Sequence, residues 1–460
     1  MKLRWNWIAS LYLGACVVMG GASAAGAAAN AALQVAALLL ILLVMWRGTE
    51  PMIFGEGRPL AVLFAVTLLI GGFSLVPLPP AWWSHLPFRD QIADAFVLIG
   101  MAPPPLPLSL APPATLASLV SFLPPAAAFL LVLQISAGER RAVAWATLVL
   151  AGLSLALGAF QLIGGPESSL RFYEITNAGS PVGFFANVNH QVTLILCALV
   201  FTGVLSGRAA LRRSPSKRRG ALVLSAASAV FLITGIAISG SGAGYALLPI
   251  SLVAAFVVYR RTVRRPIGRA WLAAGAAALV VFGAVALRGP LSTQALSLDL
   301  SNESSSRRVL SQNTIKAIEA SFPAGTGLGS FVDIYRRFEN PNRVLRQYAN
   351  HAHDDYLEVT LELGLPGVLL MLSFILWWLR ASLRVWRSDL PGGDLGRAGS
   401  AIVGIMLLHS LVDYPLRTAA LSALLAAACA LMIPGRARAE RSEADGQNRA
   451  KSLRHLEAAV

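Results

Sequence analysis

Chemistry in this chain concentrates at Asn350-His351-Ala352-His353-Asp354-Asp355-Tyr356-Leu357-Glu358, where two imidazoles and two carboxylates lie within five residues. Four readings compete for the segment. His and carboxylate side chains suit Zn or Mn. An HxH pair on a helix faces two directions, however, and no third or fourth ligand is obvious elsewhere. A His oriented by a carboxylate can instead take a proton from a hydroxyl nucleophile near neutral pH. A nucleophilic triad needs a placed Ser or Cys, and no GxSxG occurs; Ser239-Gly240-Ser241-Gly242 is the nearest approach and reads better as a turn between two spans. The fourth reading is structural, with His and Asp satisfying a helix end.

A second feature is Gly325-Thr326-Gly327-Leu328-Gly329, between the basic pairs Arg307-Arg308 and Arg336-Arg337. A Gly run can turn backbone N–H groups towards phosphate oxygens. Arginine suits a pyrophosphate because its planar fork makes bidentate hydrogen bonds. Cys16, Cys197 and Cys429 lie in apolar runs with no metal or redox spacing, so they read as small hydrophobes.

The elements that must position these groups are membrane helices. Hydrophobic residues make up 56% of the 460 and charged residues 13%, against about 25% charged in soluble domains. That excludes a soluble enzyme and a disordered chain. Twelve spans are expected, at 7–25, 30–46, 59–76, 115–135, 142–163, 189–206, 220–239, 243–259, 270–288, 363–379, 398–412 and 417–433. The basic runs Arg208–Arg219 and Arg260–Arg269, and the tail from Arg436, fall on one side. The excess of Lys and Arg marks that side as cytoplasmic and puts both termini there. The +15 formal charge is thus an orientation signal, and no nucleic-acid partner is expected.

Three loops then face outwards: 77–114, Pro-rich with Trp82, Trp83, His85 and Arg89; 164–188; and 289–362, which carries the His segment. A loop as long as the third, rich in mixed charges, is expected to be functional or disordered. Within it, 307–320 has helical character, and 352–363 reads as an amphipathic helix running into the next span. The expected organisation is an N-terminal set of transmembrane helices over 1–180, a second transmembrane domain over 181–433, and a basic cytoplasmic tail over 434–460.

His353-Asp354, nine residues, then Gly364-Leu365-Pro366-Gly367 resembles the signature of the O-antigen ligase and polymerase superfamily. GFFANVNH at 183–190, FPAGTGLGSF at 322–331 and HSLVDYPLR at 409–417 resemble further family segments in the same order. The likeness covers roughly 180–430. It implies an all-α polytopic, GT-C-like fold of about twelve helices, with a large periplasmic loop between spans 9 and 10. It also implies an inverting, metal-independent glycosyltransferase without cofactor. Such enzymes move a glycan from undecaprenyl pyrophosphate to an acceptor hydroxyl at the periplasmic face of the bacterial inner membrane.

Carried onto this chain, His353 is the expected base, with Asp354 or Asp355 orienting its ring. Arg307, Arg308 and Arg171 are the candidates for the pyrophosphate. Asn187, Asn189, Gly327, Gly329 and Tyr356 are expected at the substrate, and Asp413 and Arg417 form either a supporting pair or a local salt bridge between helix ends. Two departures stand out. Asp354 replaces the family's usual Asn, which adds a charge expected to raise the pKa of His353. Gly242 occupies a place where an Arg often follows Ser. Ligase, polymerase and protein O-oligosaccharyltransferase activities share the motifs, so lipid, glycan and protein acceptors all stay open. The rivals from other classes are a twelve-span secondary transporter and an outer-face sensor or assembly factor. The transporter plan fits poorly, because few ionisable residues lie within the spans.

Overall fold

The computed structural model describes residues 4–23, 27–48, 57–266, 268–288, 307–340, 349–388 and 392–435. The helices in chain order are α1 (Trp5–Met19), α2 (Ala27–Arg47), α3 (Arg58–Phe73), α4 (Pro80–Trp83), α5 (Asp90–Leu98), α6 (Pro112–Val120), α7 (Leu123–Leu133), α8 (Arg141–Ile163), α9 (Val188–Ala210), α10 (Pro215–Ser239), α11 (Gly242–Thr262), α12 (Arg269–Arg288), α13 (Arg307–Ser321), α14 (Phe331–Tyr335), α15 (Asp355–Arg387), α16 (Gly393–His409) and α17 (Ala419–Leu431). Two short strands, β1 (Pro77–Leu78) and β2 (Leu106–Pro107), pair antiparallel in the first outer loop.

Seven helices among the described residues are long and apolar enough to cross a membrane: α2, α6 with α7, α8, α9, α10, α11 and α15. The helices α1, α3 and α17 and the first part of α12 are apolar but shorter. The span expected at 398–412 falls on α16, which begins before it and takes in Asp394 and Arg397. The span expected at 115–135 is two helices, because Pro124 and Pro125 supply no N–H to continue the first. The chain is therefore an all-α polytopic membrane protein. The tail from 436 and the loop parts 289–306 and 341–348 lie outside the described residues.

Helix α9 is the axis of the bundle. It is apolar almost all round and buried along nearly its whole length, as a helix enclosed by others must be. It packs against α8, α10, α11 and α16. Where α9 meets α11, a Cβ at Gly203 would lie 2.2 Å from the Ala255 carbonyl oxygen; only glycine allows that approach. One apolar core runs from Trp5 in α1 to Ile433 beyond α17, so the expected division at 180 is not a break in packing.

The amphipathic and apolar parts of α15 meet at a kink. Gly364 has φ 58° and ψ −141°, and Pro366 follows. The kink diverts the Leu365 N–H to Pro323 O, and Pro366 has none to give, so Leu361 O and Glu362 O lose their usual helical donors. The Gly-rich segment replaces them. The Thr326 N–H reaches both carbonyls, at 3.1 Å each, and the Gly327 N–H reaches Glu362 O at 2.8 Å.

The third outer loop is folded where described. Leu310, Ala317, Phe331, Ile334, Tyr335, Ala352 and Leu361 form a second apolar core, with Phe88 and Leu110 of the first outer loop packed on it. Arg89 is buried and donates to Pro107 O, Leu108 O and Ser109 O. Trp83 is also buried, and its Nε1–H donates to Pro104 O. Of the tryptophans that mark that loop in the sequence, only Trp82 is exposed.

Candidate active site

The N-termini of α9, α11, α15 and α17 and the C-termini of α10 and α16 gather at one end of the bundle. The basic last turns of α9, α11 and α15 stand at the other. The gathered end holds two clusters of charge, side by side on the turn from Asp413 to Arg417.

The first cluster is built on Asp413, which is wholly buried. Its Oδ1 accepts the Tyr414 N–H at 2.8 Å and lies 3.4 Å from His353 Nδ1 and 3.8 Å from His190 Nε2. Its Oδ2 accepts Asn189 Nδ2–H at 2.5 Å and lies 3.5 Å from Arg307 Nη2. Arg307 Nη1 donates to the neighbouring Val412 carbonyl at 2.8 Å. Burial by itself would raise the pKa of Asp413. The nearby ring nitrogens of His190 and His353 and the charge of Arg307 outweigh it and hold the carboxyl well below its ordinary value. Asp413 is a fixed anion at neutral pH.

His353 sits at φ 52°, a left-handed backbone that non-glycine residues adopt rarely and that recurs at functional sites. It precedes α15, so the two histidines stand on extended or turn backbone and not on the helix. The rings of His190, His351 and His353 all pack on Tyr414, with centroids 5.0, 4.4 and 4.7 Å away. Burial lowers the pKa of His353; Asp413 opposes this, and Arg307 and His351 reinforce it, with a net downward shift. The imidazole is therefore neutral at pH 7 and able to accept a proton. Its side chain keeps 27% of its surface exposed, as does that of Arg307, so both reach the surface of the site.

The second cluster is built on Arg417. Its guanidinium lies 3.6 Å from Asp355, 3.5 Å from Glu358 and 3.0 Å from Glu362. Glu358 also accepts His351 Nδ1–H at 2.7 Å and the Ala352 N–H at 2.8 Å. Glu362 accepts the Gly329 N–H, and Asp355 accepts the Ser410 hydroxyl, each at 2.8 Å. Burial would lower the pKa of Arg417, but Glu358, Glu362 and Asp355 raise it well above its ordinary value.

These contacts correct several expectations. Asp413 and Arg417 do not form the supporting pair; each serves different partners. Neither Asp354 nor Asp355 orients His353. Asp354 caps α15, accepting the Tyr356 and Leu357 N–H groups, and Asp355 belongs to Arg417. Gly327 and Gly329 offer no N–H to a phosphate, because Glu362 takes both. Tyr356 ties α15 to α16 by donating its hydroxyl to Leu407 O. Asn187 caps α9. Arg308 is exposed on α13. Arg171 stands in the second outer loop and donates to Asn177 O and Ser180 O. Residues missed as partners are Ser241, His190 and His409; the last has Thr193 Oγ1 2.6 Å from its Nδ1. The signal for His409 was present, since it opens the HSLVDYPLR segment. Among the described residues, no group of three or more His, Cys, Asp and Glu is arranged to hold a metal ion.

His353 against the buried Asp413 carboxylate, with Arg307 beside it, is an arrangement chemically able to accept a proton next to a positive charge. The comparison with known families is specific. Residues 227–372 match the family model Wzy_C, O-Antigen ligase, and this segment, about a third of the chain, supports the resemblance to the O-antigen ligase and polymerase superfamily. Its function is accordingly of the ligase or polymerase type, in polysaccharide biosynthesis. None of the curated proteins matches the chain. The matched segment contains His353 and the Gly364 kink; Asn189 and Asp413 lie outside it and reach the site only through the fold.

Proposed function

We propose that the protein transfers a glycan from an undecaprenyl-pyrophosphate donor to an acceptor hydroxyl at the periplasmic face of the inner membrane, as a ligase. The observation that carries this reading is His353 Nδ1 at 3.4 Å from the buried Asp413 anion, with Arg307 on the other carboxylate oxygen. An Nδ1–H directed at Asp413 leaves the Nε2 lone pair for the acceptor proton, and Asp413 stabilises the imidazolium that forms. The acceptor oxygen then attacks the anomeric carbon, and the bond to the pyrophosphate oxygen breaks with inversion. Arg307 and Arg308 neutralise the charge left on that oxygen, with Arg171 the next candidate.

A polyprenyl tail finds an apolar groove of about 390 Å³ between α11, α12, α15 and α16, lined by residues such as Ile250, Leu279, Ile375 and Trp378. Its lining includes Tyr356, in the first turn of α15 just after His353, and Leu411, in the turn that carries Asp413. The basic ends of the helices face the cytoplasm, as do both termini, and the twelve apolar segments all cross.

The test is transfer in reconstituted vesicles from a lipid-linked glycan donor. Glycan appearing on lipid A–core supports the ligase reading. Lengthening of a second lipid-linked glycan makes the protein a polymerase, and modification of protein hydroxyls makes it a protein glycosyltransferase. No transfer to any of the three, from protein that is intact in the vesicle, overturns the reading. Activity lost with EDTA and restored by a divalent cation overturns its metal-independent form.

A further inference from the structure

We propose that Asn189 is a positioning residue for the proton transfer: its amide, locked in one orientation by Ser241, holds the Asp413 carboxylate so that the other carboxylate oxygen faces His353. The proposal rests on the reading of His353 as the base. It gives Asn189 work at the carboxylate, away from the substrate.

The amide is chemically asymmetric, so its two ends cannot exchange places freely. Its carbonyl oxygen accepts the Ser241 hydroxyl at 2.6 Å, and its NH₂ donates to Asp413 Oδ2 at 2.5 Å. Ser241 has one hydroxyl proton. Its oxygen already accepts the Gly244 N–H at 3.0 Å as the N-cap of α11. The proton therefore goes to Asn189, and a flipped amide would set NH₂ against a committed donor and oxygen against an anion. The chain Ser241, Asn189, Asp413 is buried throughout, where such a network is most rigid. Asn187 already caps α9, so the Asn189 side chain is not needed for that helix end. Each end of its amide has a partner inside the protein, and the residue is buried, so its assigned work is at the carboxylate.

The groups that face His353 and Asp413 are Arg307 on α13, His190 on α9, His409 on α16, and His351 and Tyr414 beside the ring. None of them changes in an Asn189 variant, so a moved pH profile reports the Asp413–His353 relation. The carboxylate raises the pKa of His353; loosening it lowers that pKa and weakens the base.

The experiment compares Asn189→Ala, Ser241→Ala and Ser241→Thr with wild type in vesicle transfer, reading kcat, donor KM and the acid limb of the kcat profile. Asn189→Ala is expected to lose about 10- to 100-fold in kcat, the scale of one hydrogen bond to a charged group. Its donor KM should hold, and its acid limb should move to lower pH. Ser241→Ala should move the limb the same way, and Ser241→Thr, which keeps hydroxyl and cap, should not. A kcat within about threefold of wild type, a raised KM at constant kcat, or a lower rate with an unmoved limb overturns the proposal. If Asn189→Ala does not reach the membrane, the Ser241 pair decides alone, and no difference between Ala and Thr overturns it. His353→Ala active at the wild-type rate overturns the reading of the base instead, and so separates the two failures.

Discussion

The Asp413 and Arg417 clusters draw on the same two stretches of chain, the His segment and the turn after α16, yet they differ in saturation. Each carboxylate around Arg417 has a hydrogen-bond donor besides the guanidinium, and His351 is held by Glu358; within this cluster Arg417 Nη2, 3.5 Å from Glu358, lacks a hydrogen bond of good geometry. Around Asp413, both ring nitrogens of His190 and the Nδ1 of His353 lack a hydrogen bond of good geometry, although all are buried. His353 also keeps a left-handed backbone. A satisfied ion network fixes structure; an under-satisfied one, with part of its surface open, keeps capacity for a proton and a ligand. Identical residue types thus do different work because of how many partners the fold supplies.

The sharpest way to break that contrast is to exchange the histidines' fates. His353→Ala and Asp413→Asn should each lose transfer on the order of 10²–10⁴-fold at normal membrane abundance. His351→Ala should lose far less rate, because its ring serves Glu358. Rates of the three variants at matched protein level decide it. A dead His351→Ala beside an active His353→Ala would reverse the assignment of the two clusters.

The complementary change strikes the saturated cluster. Arg417→Met leaves Asp355, Glu358 and Glu362 without their shared cation, and removing one member of a buried ion network costs about 3–5 kcal/mol. The loss should appear in the detergent melting temperature and in membrane abundance, with kcat per folded molecule little changed. A stable Arg417→Met protein with abolished donor binding would make Arg417 a phosphate ligand after all.

Arg307 stands between the clusters in its demands, since it serves Asp413 and the surface. Arg307→Gln with Arg308→Gln should weaken donor use by a factor of about ten or more, from about 1.5–3 kcal/mol per charge-assisted bond. Donor kinetics unchanged in the double variant would move the pyrophosphate to Arg171.

How much of this was legible in the sequence depends on the range of the interaction. Apolar runs, the amphipathic start of α15 and the helical character near 307–320 are local patterns, and they were readable. The His segment was readable because its residue types are rare among so many apolar ones. Partner choice was not, because Asn189 and Asp413 are 224 positions apart and meet only when α9 and α16 pack. The Gly-rich segment misled for a related reason. Its N–H groups suit phosphate in isolation, but Gly364 and Pro366 break α15 beside it and expose carbonyls that claim them first. That signal was in the chain, as a Gly and a Pro within one helix turn.

The smallest expected effect concerns Asp354, where the sequence suggested a charge acting on His353. Burial raises the Asp354 carboxyl to about 6, against the pull of the Leu357 and Tyr356 N–H groups. Its Oδ1 faces the helix N-terminus and not the imidazole. Asn caps helices as well as Asp, so Asp354→Asn keeps the cap and removes a carboxyl that is easier to protonate in the fold than in the unfolded chain. A carboxyl with a raised pKa weakens the fold progressively as pH rises from about 4 through about 6. The Asn variant should therefore be slightly more stable than wild type at pH 7 and about equal to it near pH 4. Its kcat should stay within about threefold of wild type, an effect below that of losing one hydrogen bond to a charged group, and its acid limb should not move. Melting temperatures at the two pH values, with the kcat profile, test both halves. A displaced acid limb in Asp354→Asn would mean that Asp354 shares the orienting of His353 with Asp413, and the boundary between the two clusters would have to be redrawn to include the cap.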